Sequence, residues 1–314
     1  MSDTVSYTPE EVARILKISR FTVYEFIKRG ELTAYHIGRK LRIEATDLEI
    51  FMKNAKGANQ IPPQPTQHIE QLMSPSLPSQ DGLIIYGQDA TLDVLTRHLE
   101  KKMPHVRFLR SYNGSMDGLI ALYRGTANLI TTHLWDGDTG EYNTPYVRHL
   151  LPGQRALIIN LVYRQEGFYV APGNPKNIKD WPDLLRSDIR FINRERGSGA
   201  RVLLDEKFRK LNLDPRGIPN YNQEETSHLA IASSVARGEA DVGLGIEKAA
   251  MQVQNIEFIP LQKERYDLVM LRHDLEKPHF QALLSILRSP AFRNEIAGMG
   301  GYDVSRMGDI MAEL

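Results

Sequence analysis

Short apolar runs alternate with amphipathic stretches over most of the chain, from Gly82 to the C-terminus. The runs GLIIYG (82–87), VRFLRSY (106–112) and ANLITTHLW (127–135) predict strands, while residues 91–102 and 115–124 have the apolar spacing of helices. The later predicted elements are strands at ALIINLVYR, GFYVAP, IRFINR and ADVGLGI, with helices over 198–211 and 226–238. Strands that alternate with helices form parallel sheets, because parallel neighbours need crossover connections. The pattern therefore predicts an α/β fold with a doubly wound parallel sheet, and its length favours two lobes with a cleft between them.

The N-terminal region has a different pattern, of short helices and a basic hairpin. Residues TPEE (8–11) combine a hydroxyl N-cap, a proline at the first helical position and a glutamate three residues after the cap, which is a strong helix start. Ser19 is expected to cap a second helix over 20–29, and Gly30 suits its end. The remaining predicted elements are strands over 32–37 and 41–43, a hairpin tip at 38–40 and a helix over 45–53. Two short helices joined by a tight turn form a helix-turn-helix unit, whose second helix can enter the major groove of DNA.

Five prolines, mixed with Gln, Ser and Asn, separate these two patterns over residues 54–80. This composition is typical of a semi-extended linker. We therefore expect a helix-turn-helix domain over 1–54, a Pro-rich linker over 55–80 and a ligand-sensing domain over 81–314.

The overall composition is that of an ordinary folded protein, with 41% hydrophobic and 25% charged residues and a formal net charge of +0. The absence of cysteine excludes disulfides, thiolate zinc sites and cysteine nucleophiles. The sequence has no signal-peptide pattern and no apolar run near the roughly 20 residues that span a bilayer. We expect a cytoplasmic protein that does not bind membranes.

The neutral total conceals a basic segment in the helix-turn-helix region. Residues 17–42 contain seven cationic and two acidic side chains, a net charge of +5. Clustered cations bind phosphates by releasing counterions, and a few side chains of the recognition helix read base edges. The predicted base-reading residues are Arg20, Thr22 and Tyr24, and the predicted phosphate-binding residues are Lys28, Arg39, Lys40 and Arg42. Double-stranded DNA is the predicted partner, with a solvated charged face or a protein-docking surface as the alternatives.

Several turns rich in hydrogen-bond donors lie between a predicted strand and a predicted helix. The segment NRERGSGAR (193–201) is the clearest, because a helix N-terminus offers unpaired N–H groups and a positive dipole end to an anion. Segment 111–118 shares this position, segment 131–133 ends a predicted strand and segment 225–228 caps a predicted helix. Ligands of open α/β sheets bind at the carboxyl ends of strands. The predicted ligand-binding residues are Ser111, Asn113, Ser115, Thr132, His133, Arg194, Arg196, Ser198, Gly199 and Thr226. For segment 193–201 the alternative is a Gly-Ser turn that only caps the helix.

These segments also carry two family resemblances. The stretch YTPEEVARILKISRFTVYEFIKRGELTAYHIGRKLRI resembles the excisionase and MerR-type winged helix-turn-helix family. From Gly82 to about Asp274 the chain is similar to the type II periplasmic-binding-protein fold, and more narrowly to the molybdate-binding-like branch used as a sensor in bacterial regulators. The stretches that carry this second resemblance are HLWDGDTGEYNTPYVRHLLPG, YVAPGNPKNI, FINRERGSGARVLLDE, ETSHLAIASSVARGEADVGLGIE and PLQKERYDLV.

The second resemblance implies an oxyanion ligand. Relatives often have Arg-x-x-Gly-Ser-Gly-Thr, and this chain has Ala200 in place of the final threonine, which removes one hydroxyl donor. No acidic residue is clearly placed to accept a proton from phosphate. A fully deprotonated dianion, tungstate or molybdate, is therefore expected. A small organic acid or an amino acid is the alternative, because His133, Tyr142, Asn143 and His228 suit an organic carboxylate equally well.

The sequence lacks a P-loop, a His/Glu zinc constellation and a nucleophile elbow, so we expect neither an enzyme nor a resident cofactor or metal. The acidic loop DGDTGE (136–141) is typical of a turn, with weak calcium binding as the alternative. The prediction is a one-component bacterial transcriptional regulator that senses an oxyanion. A single reader covers one half-site, which favours a homodimer or higher homo-oligomer. A cytosolic anion scavenger that does not bind DNA is the alternative of a different class.

Overall fold

The helix starts predicted near the N-terminus are present in the computed structural model, which describes residues 6–16, 18–28, 32–37, 40–57 and 82–314. Helix α1 (Pro9–Leu16) follows Thr8, whose Oγ1 accepts a hydrogen bond from the Glu11 amide at 3.3 Å, while Glu11 Oε2 accepts one from the Thr8 amide at 2.7 Å. Helix α2 (Arg20–Lys28) follows Ser19, whose hydroxyl accepts from the Thr22 amide at 3.1 Å. Both predicted caps are confirmed.

A small antiparallel sheet and a third helix complete the N-terminal unit. Strands β1 (Ser6–Tyr7), β2 (Tyr35–Ile37) and β3 (Lys40–Glu44) pair in the order β1-β3-β2, and α3 (Ala45–Gly57) follows. Strand β1 was not predicted, because two residues carry no periodicity, and α3 extends past the predicted end at 53. The core residues of this unit are Val12, Ala13, Val23, Leu32, Ile43 and Leu48. Gly30, Arg39 and most of the predicted linker lie outside the described residues.

The second compact unit, Ser74–Leu314, contains ten strands and eight helices in its described part, 82–314. The strands are β4 (Gly82–Tyr86), β5 (Arg107–Ser111), β6 (Leu129–Thr132), β7 (Ala156–Val170), β8 (Phe191–Arg194), β9 (Glu224–Glu225), β10 (Val242–Ile246), β11 (Glu257–Leu271), β12 (Tyr302–Asp303) and β13 (Ile310–Glu313). The helices are α4 (Thr91–Lys102), α5 (Ser115–Tyr123), α6 (Thr144–Leu150), α7 (Gly199–Lys210), α8 (His228–Ala236), α9 (Glu247–Ala250), α10 (Pro278–Leu287) and α11 (Pro290–Gly298).

All ten strands belong to one sheet with the order β5-β4-β6-β11-β7-β10-β8-β9, while β12 and β13 also pair with β7. Strand β4 is parallel to β5 and β6, and β8 is parallel to β9 and β10, as predicted. The prediction of a parallel sheet is wrong for the centre, where β7 pairs antiparallel with both β11 and β10. The first lobe is built on β4–β6 and the second lobe on β8–β10.

Two 15-residue strands, β7 and β11, connect the lobes. They pair from Ala156 opposite Leu271 to Val170 opposite Glu257, with register shifts near Gln262 and Asp267. The sequence predicts two strands where β7 is one, because the polar residues 164–166 interrupt its apolar pattern. Each lobe has its own buried clusters, so β7 and β11 are the continuous elements between two cores. Among the described residues, no helix combines the length and the apolar character that crossing a bilayer requires.

Candidate functional site

A cavity of about 440 Å³ lies between the two lobes. Its lining comes from the carboxyl ends of strands: residues 88–90 follow β4, residues 112–115 follow β5, and Thr131 and His133 lie at the end of β6. The second lobe contributes Arg194, Ser198 and Gly199 after β8, residues 226–229 after β9, and residues at the end of β10. This is the position at which open α/β sheets bind ligands.

Three helices begin at the cavity. Gly114, Ser198 and Ser227 are the N-cap residues of α5, α7 and α8, and all three line the cavity. The Ser198 hydroxyl accepts from the Arg201 amide at 3.3 Å, and the Ser227 hydroxyl accepts from the Ala230 amide at 3.1 Å. The first amides of a helix have no intrahelical partner, and the helix dipole favours negative charge at this end. The convergence of three such ends creates a positive electrostatic environment without requiring a free cation.

Gly199 allows the two lobes to approach each other at the cavity. A Cβ atom at this position would lie 2.5 Å from two atoms of the His133 ring, so only glycine fits there. The neighbouring Gly197 has a φ of 87°, in the left-handed region, and its carbonyl accepts a hydrogen bond from the Met116 amide at 3.0 Å. Met116 belongs to α5 of the first lobe, so this backbone contact joins the two sides of the cleft.

The structure brings most of the predicted ligand-binding residues to this cavity. Those in its lining are Asn113, Ser115, His133, Arg194, Ser198, Gly199 and Thr226. Ser111, Thr132 and Arg196 are outside the lining. Thr131 lines it instead of Thr132, because successive side chains of a strand point to opposite faces. Ser111 ends β5 and donates to Asn113 Oδ1 at 2.5 Å, while Arg196 is exposed on the loop before α7.

Sequence reasoning missed a network of buried charges in the wall of the cavity. Arg164, on β7, donates from Nη1 to Asp89 Oδ2 at 2.7 Å and from Nε to Glu264 Oε1 at 2.5 Å. The Tyr302 hydroxyl donates to Asp89 at 3.1 Å, and the Tyr266 ring lies 3.9 Å below the guanidinium. The signal that could have found this network is the presence of charged residues within the long apolar strands β7 and β11.

Burial opposes the charge of Arg164, but the carboxylates of Glu264 and Asp89 outweigh that effect and raise the pKa of Arg164 above its usual range. Burial alone would raise the pKa of Glu264, yet Arg164 and His133 hold it well below its ordinary value. Glu166 differs, because burial and the adjacent Glu264 raise its pKa well above the ordinary range. The network therefore contains a carboxylate, Glu264, that stays ionised beside Arg164 and His133, and a second carboxyl group, Glu166, that resists ionisation.

Asp89 is an acidic residue that the sequence analysis did not place, and it lines the cavity. Its carboxylate already accepts hydrogen bonds from Arg164, Tyr302 and the Thr91 amide, the last at 2.8 Å. Asp89 is 6% exposed, so these bonds are shielded from water. A protonated ligand oxygen could donate to Asp89 only by sharing or displacing these donors.

Two histidines face each other across the cavity, with ring centroids 6.3 Å apart. His133 Nδ1 is 2.6 Å from Glu264 Oε2, which fixes the ring orientation. Burial, together with Arg194 and Arg164, lowers the pKa of His228 well below its ordinary value, so this imidazole is neutral at pH 7. A neutral imidazole retains one N–H donor.

The other cations of the lining also have partners. Arg194 donates to both carboxylate oxygens of Glu195, to Gln88 Oε1 at 3.0 Å and to the Thr226 carbonyl at 3.2 Å. Gln88 belongs to the first lobe, so the hydrogen bond from Arg194 to Gln88 is a second contact across the cleft. Lys248 donates to the Met299 carbonyl. These hydrogen bonds therefore hold Arg194, one of the two arginines predicted to contact the ligand, at the cavity edge.

The candidate DNA interface lies on α2. Arg20 and Tyr24 are exposed on one side of this helix, where Arg20 also pairs with Glu10 at 2.8 Å, and Thr22 hydrogen-bonds Ser19. Arg42 is half-buried on β3. Lys28 and Lys40 belong to α2 and β3, but their side chains lie outside the described residues, as does Arg39. The described part of this surface therefore presents one exposed arginine and one exposed tyrosine at neighbouring helical turns.

Comparison with known proteins matches both units to families. Residues 6–56 match a helix-turn-helix domain model, and residues 96–288 match the PBP superfamily domain. YvgK of Bacillus subtilis (strain 168) is 41% identical over 313 residues, with 100% of both chains covered.

Among solved structures, a phosphate-bound substrate-binding protein of a phosphate ABC transporter from Clostridium perfringens has a TM-score of 0.54 and 14% identity, covering 71% of this chain and 98% of that one. The sulfate-binding protein SubI of Mycobacterium tuberculosis H37Rv has a TM-score of 0.50 and 17% identity, covering 70% of this chain and 85% of that one. These two structures share the fold.

Proposed function

The chain belongs to the PBP superfamily and carries a helix-turn-helix domain before its PBP domain, and from this premise we propose that it is a one-component bacterial transcriptional regulator. Its N-terminal unit binds double-stranded DNA as part of a cytoplasmic homodimer. Its larger unit binds a small oxyanion in the cavity between the lobes. Occupation of the cavity changes the affinity for DNA, and the protein catalyses no reaction.

The observation that carries the ligand proposal is the convergence of three helix N-termini on one cavity. Around these ends lie neutral donors from the Ser115 hydroxyl, the Asn113 amide and the His228 imidazole. Fixed N–H dipoles and hydroxyls stabilise an anion without the strong dependence on salt of a surface ion pair. The cations Arg164 and Arg194 already have carboxylate partners, which leaves the neutral donors to surround the ligand.

Tungstate or molybdate is the first ligand that we propose. Both are dianions without a proton at neutral pH, and they need donors only. The three bonds that Asp89 already accepts disfavour a ligand that must donate a proton, such as hydrogen phosphate.

A small organic acid is the second candidate, and the size of the cavity is the observation that favours it. Pockets for organic ligands occupy about 300–1,000 Å³ and are lined largely by apolar groups. Leu229, Ile246 and Ala249 provide such surface beside the helix N-termini. A carboxylate could occupy the anion site while its carbon skeleton packs against these three residues.

The test is a calorimetric titration of the full-length chain with tungstate, molybdate, sulfate, phosphate and a set of small carboxylic acids. We expect saturable binding of one tungstate or molybdate per chain. Ser115→Ala removes one hydroxyl from the cavity and should weaken binding about 10- to 150-fold, the effect of one hydrogen bond to a charged group. Ser187→Ala changes an exposed serine outside the lining and serves as the matched control.

Each outcome of this titration decides between the candidates. Binding of an organic acid, with none of the metal oxyanions, would replace the first ligand by the second. Binding by Ser115→Ala at wild-type affinity would place the ligand elsewhere. A gel-shift assay with the DNA upstream of the protein's own gene separates a regulator from an anion scavenger, which would give no salt-sensitive specific band.

A further inference from the structure

Three buried side chains behind the cavity bring metal-ligating atoms together. His133 follows β6, Glu166 lies on β7 and Glu264 lies on β11, and one ligand atom from each lies within 4.8 Å of the other two. In the paired strands Glu264 is opposite Arg164, and Glu166 is two residues further along β7. Residues two apart on a strand share a face, so the antiparallel register places both glutamates on the same side of the sheet.

Glu166 has an unusual environment for a buried acid. It is 1% exposed, and neither of its carboxylate oxygens has a hydrogen-bond donor among the described residues. It lies against the carboxylate of Glu264, to which it can hydrogen-bond only while it keeps a proton. Buried polar groups are nearly always partnered, so an unpartnered carboxylate calls for an explanation. A cation between the two carboxylates would supply the missing partner.

The charges around this cluster leave two negative charges for such a cation. Arg164 contacts both Glu264 and Asp89, and Asp89 at 2.7 Å balances the guanidinium. Glu166 resists ionisation on its own, so an incoming divalent ion would displace its proton, and the two ionised carboxylates would then match the charge of that ion. An imidazole nitrogen and two carboxylates form a donor set that suits first-row divalent cations, Zn²⁺ among them, rather than the all-oxygen set of Ca²⁺ or Mg²⁺.

We propose that His133, Glu166 and Glu264 bind one divalent transition-metal cation between the strands that connect the two lobes. This site departs from the expectation that the protein has no metal. The cation replaces the contact between His133 and Glu264, so the histidine ring must turn to admit it. His133 also lines the cavity, and a fourth coordination position on that side would accept a water molecule or a ligand oxygen.

The test uses the full-length, tag-free chain, first stripped of metal with a chelator. Equilibrium dialysis against Zn²⁺, Mn²⁺ and Mg²⁺, followed by elemental analysis, gives the number of ions bound per chain. We expect one Zn²⁺ or Mn²⁺ per chain and no Mg²⁺. Substitution by Co²⁺ adds a spectroscopic readout, because its visible absorption reports nitrogen and oxygen ligation directly and does not depend on any activity.

Glu166→Gln is the central variant. Glutamine keeps the size of the side chain and removes its charge, and its amide can still donate to Glu264, the neighbour to which Glu166 hydrogen-bonds. Loss of one ligand should weaken Zn²⁺ binding by more than about 100-fold, since outer-shell partners alone contribute about 10- to 100-fold. His133→Gln should have the same effect. The matched controls are Glu100→Gln and His105→Gln, both exposed and outside the cluster, which should bind Zn²⁺ as the wild type does.

Two results would overturn the proposal. One is a wild-type chain that takes up no Zn²⁺ or Mn²⁺ at micromolar free metal. The other is equal binding by wild type and Glu166→Gln, which would place the ion at other residues. Circular dichroism of each variant, recorded without metal, shows whether a loss of binding reflects loss of the fold. The Co²⁺ spectrum is recorded on the wild type, so it tests the ligation whether or not a variant folds.

Discussion

Replacing Gly199 by alanine places a methyl group against the ring of His133. The added Cβ would lie 2.5 Å from Cε1 and Nδ1 and 2.6 Å from Nε2 of that ring. Carbon atoms in contact are normally about 3.5–4.0 Å apart, so roughly 1 Å of movement is needed. Position 199 is the first residue of α7, and His133 is hydrogen-bonded to Glu264, which is fully buried. Movement of the ring would therefore break its hydrogen bond to Glu264, and movement of residue 199 would displace the start of α7.

The sign of the stability change distinguishes this contact from an ordinary glycine position. Overpacking typically costs about 1–3 kcal/mol, whereas a glycine-to-alanine change at a compatible position stabilises by about 0.4–1 kcal/mol. His133 and Gly199 also belong to opposite lobes, so the same methyl group disfavours the closed cleft. An overpacking cost of about 1–3 kcal/mol that destabilises only the ligand-bound form lowers the anion affinity about 5- to 150-fold.

Urea denaturation of the ligand-binding unit measures the first effect. Both tryptophans of the chain, Trp135 and Trp181, are buried in this unit, so their fluorescence follows its unfolding. We expect Gly199→Ala to lower the free energy of unfolding by about 1–3 kcal/mol. Gly298→Ala is the matched control, because a Cβ at position 298 would meet no atom within 4 Å, and it should be at least as stable as the wild type.

A second background tests the cause. His133→Ala removes the ring, and Gly199→Ala introduced into that background should then be neutral or stabilising. The two substitutions should therefore show a coupling energy of about 1–3 kcal/mol in a double-mutant cycle. A destabilisation that persists without the ring would refute the reasoning, and so would wild-type stability of Gly199→Ala with the ring present.

Three further predictions follow from other parts of the molecule. Arg164→Met leaves two buried carboxylates, Asp89 and Glu264, without their cation and should lower the free energy of unfolding by about 3–5 kcal/mol in the same denaturation assay. Arg237→Met removes the cation of an exposed pair and should leave the free energy of unfolding unchanged. Equal effects of the two substitutions would contradict this prediction. The hydrogen bond from Lys263 lowers the pKa of Asp303 to about 2, so the pair stabilises the fold above pH about 3.8 and this contribution is lost as the pH falls towards 2. Asp303→Asn should therefore be less stable than the wild type at pH 5–7, by less than about 1 kcal/mol because the pair is partly exposed, and the difference should vanish near pH 2; a constant difference would be inconsistent with this linkage. Arg20→Ala should weaken specific DNA binding by about 1–3 kcal/mol and relax the preference for one base, as measured by gel shift against single-base operator variants; a uniform loss across all variants would instead indicate a phosphate contact.

Local signals in the sequence predicted the features that depend on local chemistry. The Thr8 and Ser19 caps, the strands at the start of the second unit and the donor-rich turns at strand ends were all correctly placed. Strand ends in an α/β sheet meet at one edge, so turns distant in sequence such as those at Asn113 and Ser198 could be assigned to one cleft without a structure.

Features that depend on long-range pairing were not predicted. The polar segment at Arg164–Glu166 was taken as the end of a strand, because nothing local shows that β11 satisfies these charges across the sheet. Thr131 and Thr132 are adjacent and chemically identical, and only the phase of β6 determines that Thr131 faces the cavity. The antiparallel centre of the sheet follows from the same pairing of two distant strands, β7 and β11.

The dependence of DNA affinity on the anion tests the central claim most directly. Fluorescence anisotropy of the full-length chain with the DNA upstream of its own gene, at fixed salt, gives the dissociation constant with and without saturating tungstate or molybdate. We expect the dissociation constant to shift about 5- to 150-fold, and to shift much less for Gly199→Ala at the same anion concentration. Specific DNA binding with a dissociation constant that no oxyanion or organic acid changes would contradict it, because a ligand acts only through a difference in affinity between two states.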